Sequence, residues 1–98
     1  MASRVIFSSQ AEADVDAIVA YIARDNPEAA YRFGRELFVR AQTLAGSPFM
    51  GVALRRKTGI RYFVHRDYQI FYRVNEDTMI VEVLRFWHGA RNPRRLSL

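Results

Sequence analysis

Residues 61–87 read RYFVHRDYQIFYRVNEDTMIVEVLRFW. β-Branched and aromatic side chains dominate and recur with a period of two, broken only at the turn-prone Arg66-Asp67 and Asn75-Glu76-Asp77-Thr78. This predicts strands at Arg61–His65, Tyr68–Val74 and Met79–Trp87, whose short connections make them an antiparallel meander. The last strand is apolar at seven of its nine positions, as a strand covered on both faces requires. Glu82 and Arg85 stand three apart on it, and strict alternation sends them to opposite faces.

Upstream, Arg4-Val5-Ile6-Phe7 reads as an opening strand. Ser9 with Glu12 fits a capping box, and Glu12, Asp14 and Asp16 suit the positive end of a helix dipole. Ala11, Val15, Ile18 and Ile22 form one apolar stripe on a helix running to about Arg24. Asn26 and Pro27 then cap and open a second helix with the stripe Ala30, Phe33, Leu37, Ala41 and Leu44, closed by Gly46 and Pro48. So short a connection predicts an antiparallel helical hairpin. From Ser47 to Gly59 no period holds, which predicts a loop carrying Arg55-Arg56-Lys57. The tail from Gly89 reads as too short and polar to add to the core. The fold class is therefore α+β: an N-terminal strand and an antiparallel helical hairpin packed on an antiparallel β-sheet, in one domain over residues 1–98.

The 98 residues are half apolar and contain no cysteine, so no disulfide or thiolate-held metal staples the fold. No apolar run reaches the ~20 residues of a membrane span and no leader pattern opens the chain, so a cytoplasmic protein without membrane contact is expected. The net charge of +5 is uneven. Residues 1–49 carry five basic and six acidic groups, and residues 50–98 carry ten and four. An anionic or acidic partner is expected to meet the second half.

The two histidines, His65 and His88, are not at ligand spacing, so neither a metal nor a cofactor is expected. No serine sits in a nucleophile turn, and the isolated glycines form no phosphate loop. What remains is cationic and aromatic. Arg61, Arg73, Arg85, Arg91, Arg94 and Arg95 interleave with Tyr62, Phe63, Tyr68, Phe71, Tyr72, Phe86 and Trp87 on the strands and tail. Such a surface can hold a phosphate chain, although most of the rings are also what a small core needs.

Gly59-Ile60-Arg61, Tyr68 to Val74 and Val83-Leu84-Arg85-Phe86-Trp87-His88-Gly89-Ala90-Arg91 resemble the second half of the RelE/ParE superfamily of bacterial type II toxins. Asp14 to Ile22 followed by Asn26-Pro27-Glu28-Ala29-Ala30 resembles its helical first half in the ParE style. The resemblance implies the same hairpin-on-sheet fold and one of two activities. RelE-like members cleave messenger RNA on the ribosome, for which Arg61 and Arg91 stand at matching places. Phe63, Gln69 and the lack of a tyrosine beyond Tyr72 depart from that set. A ParE-like toxin instead inhibits DNA gyrase without catalysis, and this is the preferred reading. A degenerate toxin serving only as co-repressor is a third. The implied partners are a cognate antitoxin with an acidic, partly disordered segment, gyrase as target, and operator DNA through the antitoxin. Candidate target-binding residues are Arg61, Arg85, Trp87, His88, Arg91, Arg94 and Arg95. Val15, Ile18, Ile22, Phe33 and Leu37 are the candidates for antitoxin binding.

Overall fold

The computed structural model describes residues 3–98. The chain forms β1 (Arg4–Phe7), α1 (Ser9–Ala23), α2 (Pro27–Gln42), β2 (Val52–Ala53), β3 (Ile60–His65), β4 (Tyr68–Asn75) and β5 (Ile80–His88). Short 3-10 turns lie at Thr43–Ala45, after α2, and at Pro93–Arg95, after β5. The strands make one sheet in the order β1-β5-β4-β3-β2. β3, β4 and β5 form the expected antiparallel meander, but β1 pairs parallel to β5, so the sheet is mixed. The helical hairpin between them carries the chain back before β3, which frees the edge of β5 for a parallel partner. No helix among the described residues is long and apolar enough to cross a membrane.

The predicted caps hold at the second helix and shift at the first. Asn26 accepts from the Ala29 N–H at 3.1 Å, with Pro27 in the first turn. For α1 the cap is Ser8, not Ser9. Ser8 Oγ accepts from the Ala11 N–H and donates to the Leu84 carbonyl, each at 3.0 Å, while its N–H bonds to the Val83 carbonyl at 2.9 Å. The same residue thus ends β1 and starts α1, tying the cap to β5. Glu12 remains in the first turn, where its charge suits the dipole.

A bulge in β5 overturns the alternation argument. Phe71 pairs with Arg85 and Tyr72 with Val83, leaving Leu84 as an extra residue. Arg73 pairs with Glu82, so Glu82 and Arg85 share one face, and Val83 and Phe86 share the other. On the helix side, Leu37, Ala41 and Leu44 pack with Ile70, Tyr72, Val81, Val83 and Phe86. On the far side, Leu96 from the tail is 7% exposed and packs with Ile60, Phe71 and Trp87. The tail therefore adds a second small core, contrary to its polar look, because a single leucine suffices to plug a groove already lined by large side chains.

The helices approach closely at one glycine. A Cβ on Gly34 would lie 2.7 Å from Val19 Cγ2. Gly34→Ala is expected to destabilise by about 1 kcal/mol net, the overpacking exceeding the gain in helix propensity. Gly46→Ala, whose Cβ meets nothing nearer than 4.0 Å, should be neutral or slightly stabilising. Thermal melts of the two variants check the pair.

Candidate functional site

β5 is covered by β1 only along Ile80–Val83, so its edge from Leu84 onward faces α1. Asp14 on α1 lies against that edge. Its carboxylate takes the Arg85 Nε–H at 2.8 Å, an Arg85 Nη2–H at 3.1 Å and the Phe86 backbone N–H at 3.0 Å. Asp14 and Arg85 are 8% and 7% exposed, a buried charge pair with bidentate geometry. Arg85 also donates through Nη1 to the Ser97 carbonyl at 3.1 Å, which anchors the tail. The signal in the sequence was a carboxylate three residues after Ala11 on the buried side of α1, together with an arginine in the most apolar strand.

The end of the sheet where β3 finishes carries the polar cluster. His65, Tyr68 and His88 form one cross-strand row on the helix side. His65 Nε2 lies 2.6 Å from Glu36 Oε2, and Arg66 bonds the same carboxylate through Nε at 2.5 Å and Nη2 at 3.1 Å. The Arg66 guanidinium, and after it the His65 ring, hold the Glu36 carboxyl below its usual value of 4.5. Arg66 has a φ of 54°, a left-handed conformation that this double bond to α2 holds in place. His88 meets Tyr68 edge-on at 5.0 Å, and its Nδ1 accepts from the Ala90 N–H at 3.0 Å, which places the proton of the neutral ring on Nε2. Burial is the main cause that raises the Tyr68 phenol above its usual value, with Asp67 and Tyr21 adding to it.

Arg61 lies at the opposite end of the sheet. It donates to the Gly51 carbonyl at 2.8 Å and stacks on Phe49 at 5.2 Å, while the buried Tyr72 hydroxyl accepts from the Gly51 N–H at 2.8 Å. A Cβ at Gly51 would come 2.7 Å from both the Tyr62 carbonyl and that hydroxyl, so only glycine fits. Arg91 instead lies over the Trp87 ring at 3.8 Å. Because Gln69 pairs with Val64 and Trp87, Arg61 is three residue rows and two strands from Trp87, about 10 Å along the strands and about 10 Å across them. The two rings of contact are also on opposite faces, so the structure does not bring Arg61 and Arg91 together.

Two further candidates change role. Arg85 and Trp87 are both buried and present no contact surface. They hold up the surface formed by the half-buried His88 and the exposed Arg91, Arg94 and Arg95. On the hairpin, Leu37 is fully buried and Val15, Ile18 and Phe33 pack on the core, while Ile22 is half-buried. Sequence periodicity found the stripe that faces inward. The apolar side chains left exposed are Tyr21 (72%), Tyr31 (70%), Phe38 and Val39. A shallow cavity of about 790 Å³ lined by Arg61, Arg73, Asn75, Asp77 and Glu82 lies at the Arg61 end and mixes both charge signs. Among the described residues no group of three or more histidines and carboxylates is placed to hold a metal.

The sequence matches, over residues 5–93, the family model described as the ParE toxin of the type II toxin-antitoxin system parDE. Among curated sequences no relative is found. Among solved structures, a chain of the chromosomal ParDE toxin-antitoxin system from P. aeruginosa aligns with a TM-score of 0.74 and 21% identity, covering 88% of this chain and 95% of that one. A chain of the RelBE2 toxin-antitoxin complex from Mycobacterium tuberculosis aligns with a TM-score of 0.69 and 23% identity, covering 90% and 99%. The isolated E. coli RelE toxin aligns with a TM-score of 0.60 and 15% identity, covering 95% and 90%. These likenesses show a shared fold.

Two variants test the geometry. Asp14→Ala leaves Arg85 buried without a counter-charge, bonded only to Ser97, and the Phe86 N–H without its acceptor, and should cost about 3–5 kcal/mol in denaturant unfolding. Glu36, with its folded value lowered, contributes stability that is present above the usual carboxylate value of 4.5 and is lost as pH falls through the lower folded one. The urea midpoint of Glu36→Gln should therefore fall less on acidification than that of the parent chain.

Proposed function

Because the chain belongs to the ParE toxin family of type II toxin-antitoxin systems, we propose that it inhibits DNA gyrase by binding, not by cleaving RNA, and that a cognate antitoxin silences it. One observation carries the choice of target. Cleavage next to a 2′-hydroxyl needs a base, a cation and an acid around one phosphate. Arg61 and Arg91, the cations at the places matching the ribonuclease branch, stand at opposite ends and on opposite faces of the sheet. Arg61 is moreover committed to the Gly51 carbonyl and Phe49. No single phosphodiester spans both.

The target contact is then the cationic rim at the end of β5, formed by Arg91, Arg94 and Arg95 with His88 beside them. All three arginines are exposed and without an ion-pair partner among the described residues. Cations free of acidic neighbours steer association with an anionic surface such as gyrase-bound DNA or an acidic patch of the enzyme. The antitoxin contact is placed on the exposed side of α2, where Tyr31, Phe38 and Val39 run beside Arg32 and Arg35. That surface suits an amphipathic segment carrying acids. The cytoplasm is where both partners would be met.

In a supercoiling assay the purified toxin should inhibit gyrase, and Arg91→Ala, Arg94→Ala and Arg95→Ala should each weaken inhibition by about tenfold, a loss of roughly 1.4 kcal/mol. Their stability should stay within about 1 kcal/mol of the parent, since only the Arg91 stack on Trp87 is lost. Programmed ribosomes should leave messenger RNA intact. Site-specific cuts that vanish in Arg61→Ala or Arg91→Ala would overturn the proposal.

A further inference from the structure

β5 leaves the sheet through a turn in which each main-chain donor has an acceptor. The N–H groups of Gly89, Ala90 and Arg91 bond in succession to the Asp67 carbonyl at 2.7 Å, His88 Nδ1 at 3.0 Å and the His88 carbonyl at 3.0 Å. His88 thus accepts two of the three, one of them through its ring. That ring stands edge-on to Tyr68 at 5.0 Å, and Tyr68 is the residue of β4 paired with His88. Four residues after Trp87 the chain has doubled back far enough for the Arg91 guanidinium to lie 3.8 Å from the Trp87 ring centroid. The indole is a fixed platform, being 2% exposed and packed with Ile60, Phe71 and Leu96. Of the three rim arginines, Arg91 is the one stacked on an aromatic ring among the described residues.

We propose that His88 is the positioning residue of the cationic rim: by holding the Ala90 N–H, its Nδ1 sets the turn that lays Arg91 on Trp87 and presents the guanidinium preformed to the target. An arginine that is free before contact gives up rotamer freedom when a partner immobilises it, whereas a stacked one has given it up on folding. Stacking engages the face of the guanidinium and leaves the donors around its edge for a phosphate or carboxylate oxygen. The next side-chain acceptor along the chain cannot stand in for the ring, because Asn92 Oδ1 already takes the Arg94 N–H at 3.0 Å. The consequence for gyrase rests on the toxin reading. The placement of Arg91 does not.

Two substitutions at one position separate this role from packing. His88→Asn keeps an acceptor two bonds from Cβ, where Nδ1 stands, and loses the ring. His88→Phe keeps a ring against Tyr68 and loses the acceptor. Packing alone ranks His88→Phe above His88→Asn in melting temperature, since the aromatic pair survives. Inhibition of supercoiling should rank them the other way: His88→Phe should weaken it about fivefold, and His88→Asn should recover most of that loss. His88→Phe/Arg91→Ala should inhibit no more weakly than Arg91→Ala, because both changes act through one contact. Acrylamide quenching of Trp87, the single tryptophan, reads the stack with no gyrase present. It should rise in His88→Phe to the level of Arg91→Ala and stay near that of the parent in His88→Asn. An inhibition order that follows the melting temperatures, additive losses in the double variant, or Trp87 as shielded in His88→Phe as in the parent would each overturn the proposal. A parent chain that leaves gyrase active overturns the toxin reading instead, and the quenching series then still decides whether His88 places Arg91.

Discussion

One buried carboxylate joins the three parts of this fold. Asp14 bonds the Arg85 guanidinium and the Phe86 N–H at once, where β1 has ended and β5 would otherwise present an unpaired edge to the interior. An unsatisfied buried N–H is costly, and a buried unpaired guanidinium more so. The pair therefore fixes where α1 lies against the sheet. Arg85 passes the constraint on to Ser97, so helix layer, sheet edge and tail share one network of charge-assisted bonds.

The bulge at Leu84 makes that network possible. Without the extra residue, Arg85 would face the helix-side core beside Val83, where the close packing of Ile70, Tyr72 and Leu37 leaves an arginine no room. The shifted register puts Arg85 on the far face, from which its long side chain reaches Asp14 and also lies over Trp87. It also puts Trp87 on the same face as Phe71, which the helices do not cover and against which Leu96 of the tail packs.

Several of the cations thus have two employments. Arg61 pins Gly51, Arg66 holds the β3–β4 turn to Glu36, and Arg85 anchors the tail, so these are positioned by the fold and spend their donors within it. Arg91, Arg94 and Arg95 are exposed and have no ion-pair partner among the described residues. A net positive charge in the second half of the chain measured the first group and the second together and could not separate them.

Local pattern was enough for the meander, the hairpin and the cap at Asn26, because a period of two, a period near 3.6 and an Asn-Pro junction are each set by neighbours within a few residues. The family resemblance was legible for the same reason, carried by runs such as Tyr68 to Val74 and Val83 to Arg91. Side-chain direction beyond residue 84, the parallel pairing of β1 with β5, the burial of Arg85, Trp87 and Leu96, and the separation of Arg61 from Arg91 belong to the tertiary structure. Each depends on residues tens of positions apart, as Asp14 and Arg85 are. A bulge one residue long leaves no mark on composition yet reverses every face that follows it, and an apolar groove decides whether a polar tail is surface or core.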